Sequence, residues 1–228
     1  MEAFVPKILY EDGHILVAVK PSGYLSEPGG SKSFPDALSA HLQEQGKPGE
    51  IFTVHRLDKV VGGVMVFART GKAASVLTQA VAQRKVEKEY LAILRGVPAE
   101  ESAILEDLLF RDASKNKTYV VKRMRKGVRD ASLQYWLLGT AEREEQTLSL
   151  VRVSLHAGRT HQIRVQFSSR GLPLLGDIRY GSKDKNCETA LWSRRLAFAH
   201  PVTGKPMEFT QSPPDTYPWD LFADTMEA

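Results

Sequence analysis

Apolar residues along this chain fall mostly in short runs, and few of them keep a long helical period. Ile8-Leu9-Tyr10 and Ile15-Leu16-Val17-Ala18-Val19 are separated by Glu11-Asp12-Gly13-His14. Asp-Gly between two such runs predicts a tight hairpin. Lys20-Pro21-Ser22-Gly23 ends its second strand, and residues 23–35, rich in Gly, Ser and Pro, read as a loop. Asp36 to Gln45 has helical composition and stops at Gly46. Val64-Met65-Val66-Phe67-Ala68 is continuous and apolar, the pattern of a strand buried on both faces. From Lys72 to Arg84, Ala73, Leu77, Ala80 and Val81 share one helical face. Glu89 to Leu94 reads as a strand closed by Arg95-Gly96. Tyr119-Val120-Val121, Leu133 to Leu138 and Leu148 to Leu155 are further strands. A helix is expected from Arg159 to Ser169, ended by Gly171 and Pro173. Leu196-Ala197-Phe198 and Met207-Glu208-Phe209 flank the turn Pro201-Val202-Thr203-Gly204.

Most successive strands are joined by connections too short for crossover helices. The pattern therefore predicts an α+β fold with a largely antiparallel or mixed sheet and a few helices. No internal repeat, low-complexity tract or interdomain linker stands out. The whole chain, residues 1–228, reads as a single domain, long enough for a sizeable core.

Composition narrows the class. No run approaches the roughly 18 apolar residues of a membrane helix. Met1-Glu2-Ala3-Phe4-Val5-Pro6 lacks the basic start and apolar core of a secretory signal. A single cysteine, Cys187, leaves no internal disulfide framework and no Cys-cluster zinc site. These features fit a cytoplasmic protein without a membrane partner. The net charge is only +4, but it is unevenly spread. Between Arg111 and Arg129 stand Arg111, Lys115, Lys117, Lys122, Arg123, Arg125, Lys126 and Arg129 against Asp112 alone. Such a stripe is either a solvated hairpin face or the footprint of a polyanion binder.

Two clusters could carry chemistry. His55-Arg56-Leu57-Asp58 lies just before the buried run that opens at Val64. A carboxylate there is held at a sheet edge by a rigid element. It serves either as half of a loop-pinning ion pair or as a reacting group. In Gly158-Arg159-Thr160-His161-Gln162-Ile163-Arg164, glycine then arginine at an expected helix start points donors at an anion. Arg159 and Arg164, five positions apart, cannot share a helix face, and ordinary surface charge is the competing account. The histidines show no metal-ligand spacing. Walker, GxGxxG and GxSxG motifs are absent, so a catalyst built here would use its own side chains.

Together these segments resemble the RluA-type pseudouridine synthases, in order and over nearly the whole chain. Val17 to Gly23 looks like that family's strand running into Lys-Pro-x-Gly, and His55-Arg56-Leu57-Asp58 like its active-site signature. Lys88-Glu89-Tyr90-Leu91-Ala92 is similar to its Lys-x-Tyr-x-Ala segment. Gly158 to Arg164, with Gly171, Pro173, Gly176-Asp177 and Tyr180-Gly181, resembles its third motif. Leu196 to Pro201 resembles its closing segment. Two places depart from the pattern. Val61-Gly62-Gly63 stands where Thr-Ser-Gly is usual, and Leu191-Trp192-Ser193 where Leu-His-Ala is common. No S4-like module is expected ahead of the catalytic domain.

The resemblance implies a pseudouridine synthase fold crossed by a basic cleft. It implies isomerisation of uridine to pseudouridine in ribosomal or transfer RNA, without cofactor or metal. Asp58 corresponds to the catalytic aspartate, Tyr90 to the tyrosine on the target base, and Arg164 to the arginine paired with the aspartate. Arg56 corresponds to the residue that fills the gap left by the extruded uridine. His55, Lys122, Arg123, Arg125, Lys126, Arg159 and His161 are expected on the RNA, with Lys20 as a further structural or backbone-contacting candidate. A monomer without an obligate protein partner is expected. The alternatives are a catalytically inactive RNA-binding or RNA-remodelling protein of the same fold, and a carboxylate glycosidase, for which no second acid is evident near Asp58.

Overall fold

The computed structural model describes residues 4–143 and 146–227. Met1, Glu2 and Ala3, which opened the stretch read for a signal, lie outside the described residues. The chain divides into two compact units: residues up to Lys88 together with Ser193–Gln211, and Glu89–Trp192 together with the chain from Ser212 onward.

The first unit starts with the expected hairpin, β1 (Lys7–Glu11) and β2 (Ile15–Lys20). The Asp12 carboxylate closes the turn by accepting the His14 and Ile15 N–H groups at 2.7 and 2.8 Å. β2 pairs antiparallel with β4 (Gly62–Ala68), and every residue of both is buried. The register explains how both faces are used. Ile15, Val17 and Val19 lie opposite Ala68, Val66 and Val64. Ile15, Val17, Val64, Val66 and Ala68 pack with Ala73 and Leu77 of helix α2 (Gly71–Ala82). On the other face Phe67 meets Phe34 of helix α1 (Phe34–Glu44), with ring centres 5.8 Å apart. Each large side chain buried this way contributes about 1.5–3 kcal/mol.

Helix α1 begins two residues before the expected start. Ser33 caps it by accepting the Asp36 N–H, and Pro35 fits the first turn, where no N–H is needed. Thr70 caps α2 by accepting the Ala73 N–H. A short strand, β3 (Phe52–Thr53), pairs with β4 and leads into the His55–Asp58 segment. The same unit holds the start of β5 (Glu87–Arg95), most of β10 (Leu191–Ala199) and β11 (Pro206–Thr210). Strands β10 and β11 form the hairpin expected around Pro201–Gly204.

The second unit is an antiparallel sheet in the order β5-β9-β8-β6-β7. Its further strands are β6 (Ser102–Asp112), β7 (Lys117–Val121), β8 (Val128–Arg143) and β9 (Gln146–Leu155). Strand β6 was not expected. Only Leu105 and Leu109 of it are buried, and Glu106 and Asp107 interrupt the apolar residues. Its alternation is therefore masked, and pairing with β8 and β7 on its two sides makes it a strand. Helix α3 (Gln162–Ser168) is shorter than the predicted span and buried from Gln162 to Phe167. A last short helix, α4 (Ala223–Glu227), follows a 3-10 turn at Trp219–Phe222. No helix among the described residues is long and apolar enough to cross a membrane.

Gly63 sits where no side chain fits. Its φ is +122°, and an added Cβ would collide with the backbone of Ser193. Gly158 has open space around it and no positive φ. Gly63→Ala is therefore expected to lose at least about 2 kcal/mol of stability in urea unfolding, from backbone strain and overpacking together. Gly158→Ala should stay within a few tenths of wild type.

Candidate active site

Asp58 is half-buried at the end of the irregular segment between β3 and β4. That segment has little secondary structure of its own, so other groups fix it. The Lys20-Pro21-Ser22-Gly23 loop that follows β2 supplies most of them. Lys20 has no exposed surface, and its ammonium donates to the Tyr24, Pro21 and Lys59 carbonyls at 2.8, 3.0 and 3.4 Å. Gly23 N–H donates to the Lys59 carbonyl at 2.8 Å, and Ser22 Oγ to that of Val60 at 2.9 Å. Ser26 Oγ donates to the Leu57 carbonyl at 2.7 Å and accepts the Leu57 N–H at 3.0 Å. Val61 N–H closes the turn on the Asp58 carbonyl at 2.9 Å. The residues on both sides of Asp58 are thus tied by their backbones.

His55 lies inside the unit, 6% exposed, so the expectation of an RNA contact there is corrected. Its Nε2 accepts the Val66 N–H at 3.1 Å. That bond fixes the neutral tautomer with the proton on Nδ1. Burial, reinforced by the nearby Lys88 charge, holds the ring well below the usual histidine range. Burial also brings the Lys88 ammonium down to about 8. Lys20 is likewise a structural cation, out of reach of a phosphate. Arg56 is exposed and paired with Glu27 at 2.7 Å. Such a surface pair is worth only about 0–1 kcal/mol, so Arg56 can leave it at little cost.

The second unit carries the other signature residues. Tyr90 is buried on β5, directly opposite Val153 of β9. Arg164 projects from α3 and is 4% exposed. Its Nε and Nη2 donate to the two Asp177 carboxylate oxygens at 2.7 and 2.8 Å. Its guanidinium carbon lies 5.0 Å from the Tyr180 ring centre. Tyr180 Oη accepts the Thr118 N–H at 2.8 Å and lies 2.8 Å from His161 Nδ1. Asp177 follows Gly176, where a Cβ would meet the Glu188 and Cys187 carbonyls. The resemblance places Asp177 and Tyr180 in the third motif without giving them roles. Asp177 had a signal, because it is the single acid among four arginines between Gly158 and Gly181.

The remaining expected RNA contacts separate by exposure. His161, in the left-handed conformation at the start of α3, is 9% exposed and held by Tyr180. Arg159 precedes the helix, and its Nε donates to the Asp130 carbonyl at 2.9 Å. The expected helix start at Arg159 is corrected accordingly, to Gln162. Lys122, Arg123, Arg125 and Lys126 are all exposed, on the loop that joins β7 to β8. Arg125 lies 5.0 Å from the Phe110 ring centre, and none of the four forms an ion pair among the described residues. Among those residues no group of three or more His, Cys, Asp or Glu side chains is placed to hold a metal ion.

The two places that depart from the family pattern meet in space. The Gly63 backbone packs on that of Ser193, whose Oγ donates to the Val64 carbonyl at 3.1 Å. A chain without the Gly63 side chain can approach β10 closely, and Ser193 then ties the start of β4, just after the Asp58 turn.

Arg164→Met removes the cation from a buried carboxylate and should cost about 3–5 kcal/mol in denaturant unfolding. Arg164→Met with Asp177→Leu should recover part of that loss, since no buried charge is then orphaned. Lys88 generates a pH prediction. Its folded value, about 8, lies below its ordinary 10.5. Below about pH 8 it is protonated in both states and the burial cost is fully present. Between 8 and 10.5 the unfolded chain holds more protons, so stability rises with pH. Relative to Lys88→Met, wild type should gain stability across that window; parallel curves would show that Lys88 is not desolvated.

Comparison with known proteins places these features. The family model described as RNA pseudouridylate synthase matches residues 14–169. An uncharacterized RNA pseudouridine synthase of Aquifex aeolicus is 34% identical, covering 92% of this chain and 70% of that protein. The dual-specificity RNA pseudouridine synthase RluA of Yersinia pestis is 32% identical, covering 89% of this chain and 96% of that one. Human RNA Pseudouridylate Synthase Domain Containing 1 shares the fold, with a TM-score of 0.80 at 21% identity, over 95% of this chain and 86% of that one. With its two signature segments complete, the chain belongs to the RNA pseudouridylate synthase family, among the RluA-type isomerases.

Proposed function

We propose that this protein converts specific uridines of structured ribosomal or transfer RNA to pseudouridine in the cytoplasm, as a monomer and without a cofactor, and that Asp58 is its catalytic carboxylate. One observation carries the reading. Asp58 stands on a turn whose neighbouring backbone groups are held by Lys20, Ser22, Gly23 and Ser26. A carboxylate on a fixed frame needs no reorganisation to meet positive charge developing at the ribose C1′.

The reaction breaks the C1′–N1 bond and forms a C1′–C5 bond. Asp58 either attacks C1′ covalently or assists a glycal route, and a carboxylate suits both. The uracil turns over within the site, C5 loses its proton, N1 gains one, and no electrons are exchanged with the surroundings. Tyr90 serves as the ring against the target base and takes part in the proton transfer. Arg164 corresponds to the family's arginine partner of the catalytic aspartate, and its bonds with Asp177 hold the guanidinium in place. The target must leave its stack, because its reacting atoms are inaccessible inside a helix. Arg56, released from Glu27, fills the gap. The exposed Lys122, Arg123, Arg125 and Lys126 meet phosphates, which position the RNA without reading its sequence. The inactive alternative gains no support, since Asp58, Tyr90 and Arg164 are all retained.

Asp58→Asn tests the assignment. Asparagine keeps the size and removes the charge, so folding and RNA affinity should persist. Loss of one preorganised charge-stabilising group costs at least about 10²–10³ in rate, and loss of a nucleophile costs more. Tritium release from C5-labelled uridine in RNA should fall below detection. Pseudouridine formation by folded Asp58→Asn at a few per cent of the wild-type rate would refute Asp58 as the catalytic group.

A further inference from the structure

A groove of about 490 Å³ opens at the edge of the second unit's sheet. One wall is β7, the last strand in that sheet, and the other is the end of α3 with the 3-10 turn Ile178–Tyr180. Two cations stand in it. Lys117 Nζ lies 5.7 Å from the Tyr119 ring centre and 5.3 Å from that of Tyr180. Arg179 Nη1 donates to the Asn116 carbonyl at 2.7 Å and to that of Lys115 at 3.4 Å. Neither cation forms an ion pair among the described residues, and no carboxylate lines the groove. The other surfaces are apolar or hydroxylic: Ile178 is 50% exposed, and Ser168 Oγ donates to the Tyr180 carbonyl at 2.6 Å with its lone pairs left to accept.

We infer that this groove binds an unpaired nucleotide of the RNA substrate. The chemistry selects that occupant. Two uncompensated cations favour a phosphodiester, and the exposed Ile178 side chain with the half-buried Tyr119 ring favours a base; single-strand binders combine these two elements. The volume lies in the range of a small-ligand site and does not admit a duplex. Position agrees as well. From Lys117 to Val121, β7 spans about 13 Å and ends at the exposed loop that bears Lys122, Arg123, Arg125 and Lys126. A strand anchored by that loop can follow β7 into the groove. Tyr180 connects the groove to the interior, because the ring that carries Lys117 also lies against Arg164. The inference rests on the reading of the chain as acting on RNA.

The test uses the full chain and a short fluorescein-labelled oligouridylate, with a duplex of equal length as comparison. Lys117→Gln with Arg179→Gln should weaken single-strand binding about tenfold and flatten the slope of log affinity against log salt by about 1.4, two contacts at roughly 0.7 each. Ile178→Glu, a change at an exposed position, should weaken it independently. In wild type, 4-thiouridine in the strand should crosslink to the peptides that contain Tyr119 or Ile178. Unchanged affinity and slope in both variants, crosslinks mapped elsewhere, or equal weakening for the duplex would each overturn the inference. Pseudouridine formation is assayed in parallel. Wild type that crosslinks here but forms no pseudouridine in folded ribosomal or transfer RNA supports the groove and refutes the proposed activity. Wild type that forms pseudouridine while both variants bind like it refutes the groove alone.

Discussion

Lys20 is a charged group with no exposed surface, and the placement of Asp58 depends on it. A buried ammonium is costly unless its protons are satisfied. Here the Pro21, Tyr24 and Lys59 carbonyls accept them. The solvation requirement of one cation therefore draws together the end of β2 and the turn after Asp58. These segments are 39 residues apart in the chain at Lys20 and Lys59. The Lys20 bonds order irregular backbone that makes few ladder bonds of its own.

The second unit repeats the principle with a different pair. Arg164 and Asp177 are both buried and bonded through two parallel contacts. Breaking such a pair costs more than its formation contributes, because the survivor is left charged and unsolvated. The pair fixes the α3 side chain against the loop that begins at Gly176. Tyr180 adds a ring to the guanidinium and a hydroxyl to His161 and Thr118. Histidines in both signature segments are accordingly structural. His55 accepts a backbone N–H, and His161 holds a phenol. The exposed cations are most concentrated on the loop from Lys122 to Lys126, which is the set we propose for the phosphates of the RNA.

Much of the fold was legible because local signals agreed with it. Asp12-Gly13 marked the first hairpin, the run from Val64 to Ala68 marked a doubly covered strand, and Ala73 with Leu77 marked the buried face of α2. The signature segments identified the family because their residue types and order are specific. Strand β6 was missed because its buried residues, Leu105 and Leu109, are four apart, and only its partners β7 and β8 make it a strand. The start of α3 was misplaced because His161 takes a left-handed conformation that the residue letters do not announce.

The sequence by itself determined the family and its reaction class, and it supplied the candidates we propose for carrying it: a carboxylate at 58, a tyrosine at 90 and an arginine at 164. Only the tertiary structure decided which charges are available. Lys20, His55 and His161 share their chemistry with surface residues and are spent on internal hydrogen bonds. Asp177 is revealed as the bidentate partner of Arg164, and Lys117 and Arg179 as unopposed cations of one groove. The physical reason is that burial and pairing are properties of neighbours brought together across the chain. A residue letter fixes a charge and a shape, while its solvation is set by what folds against it.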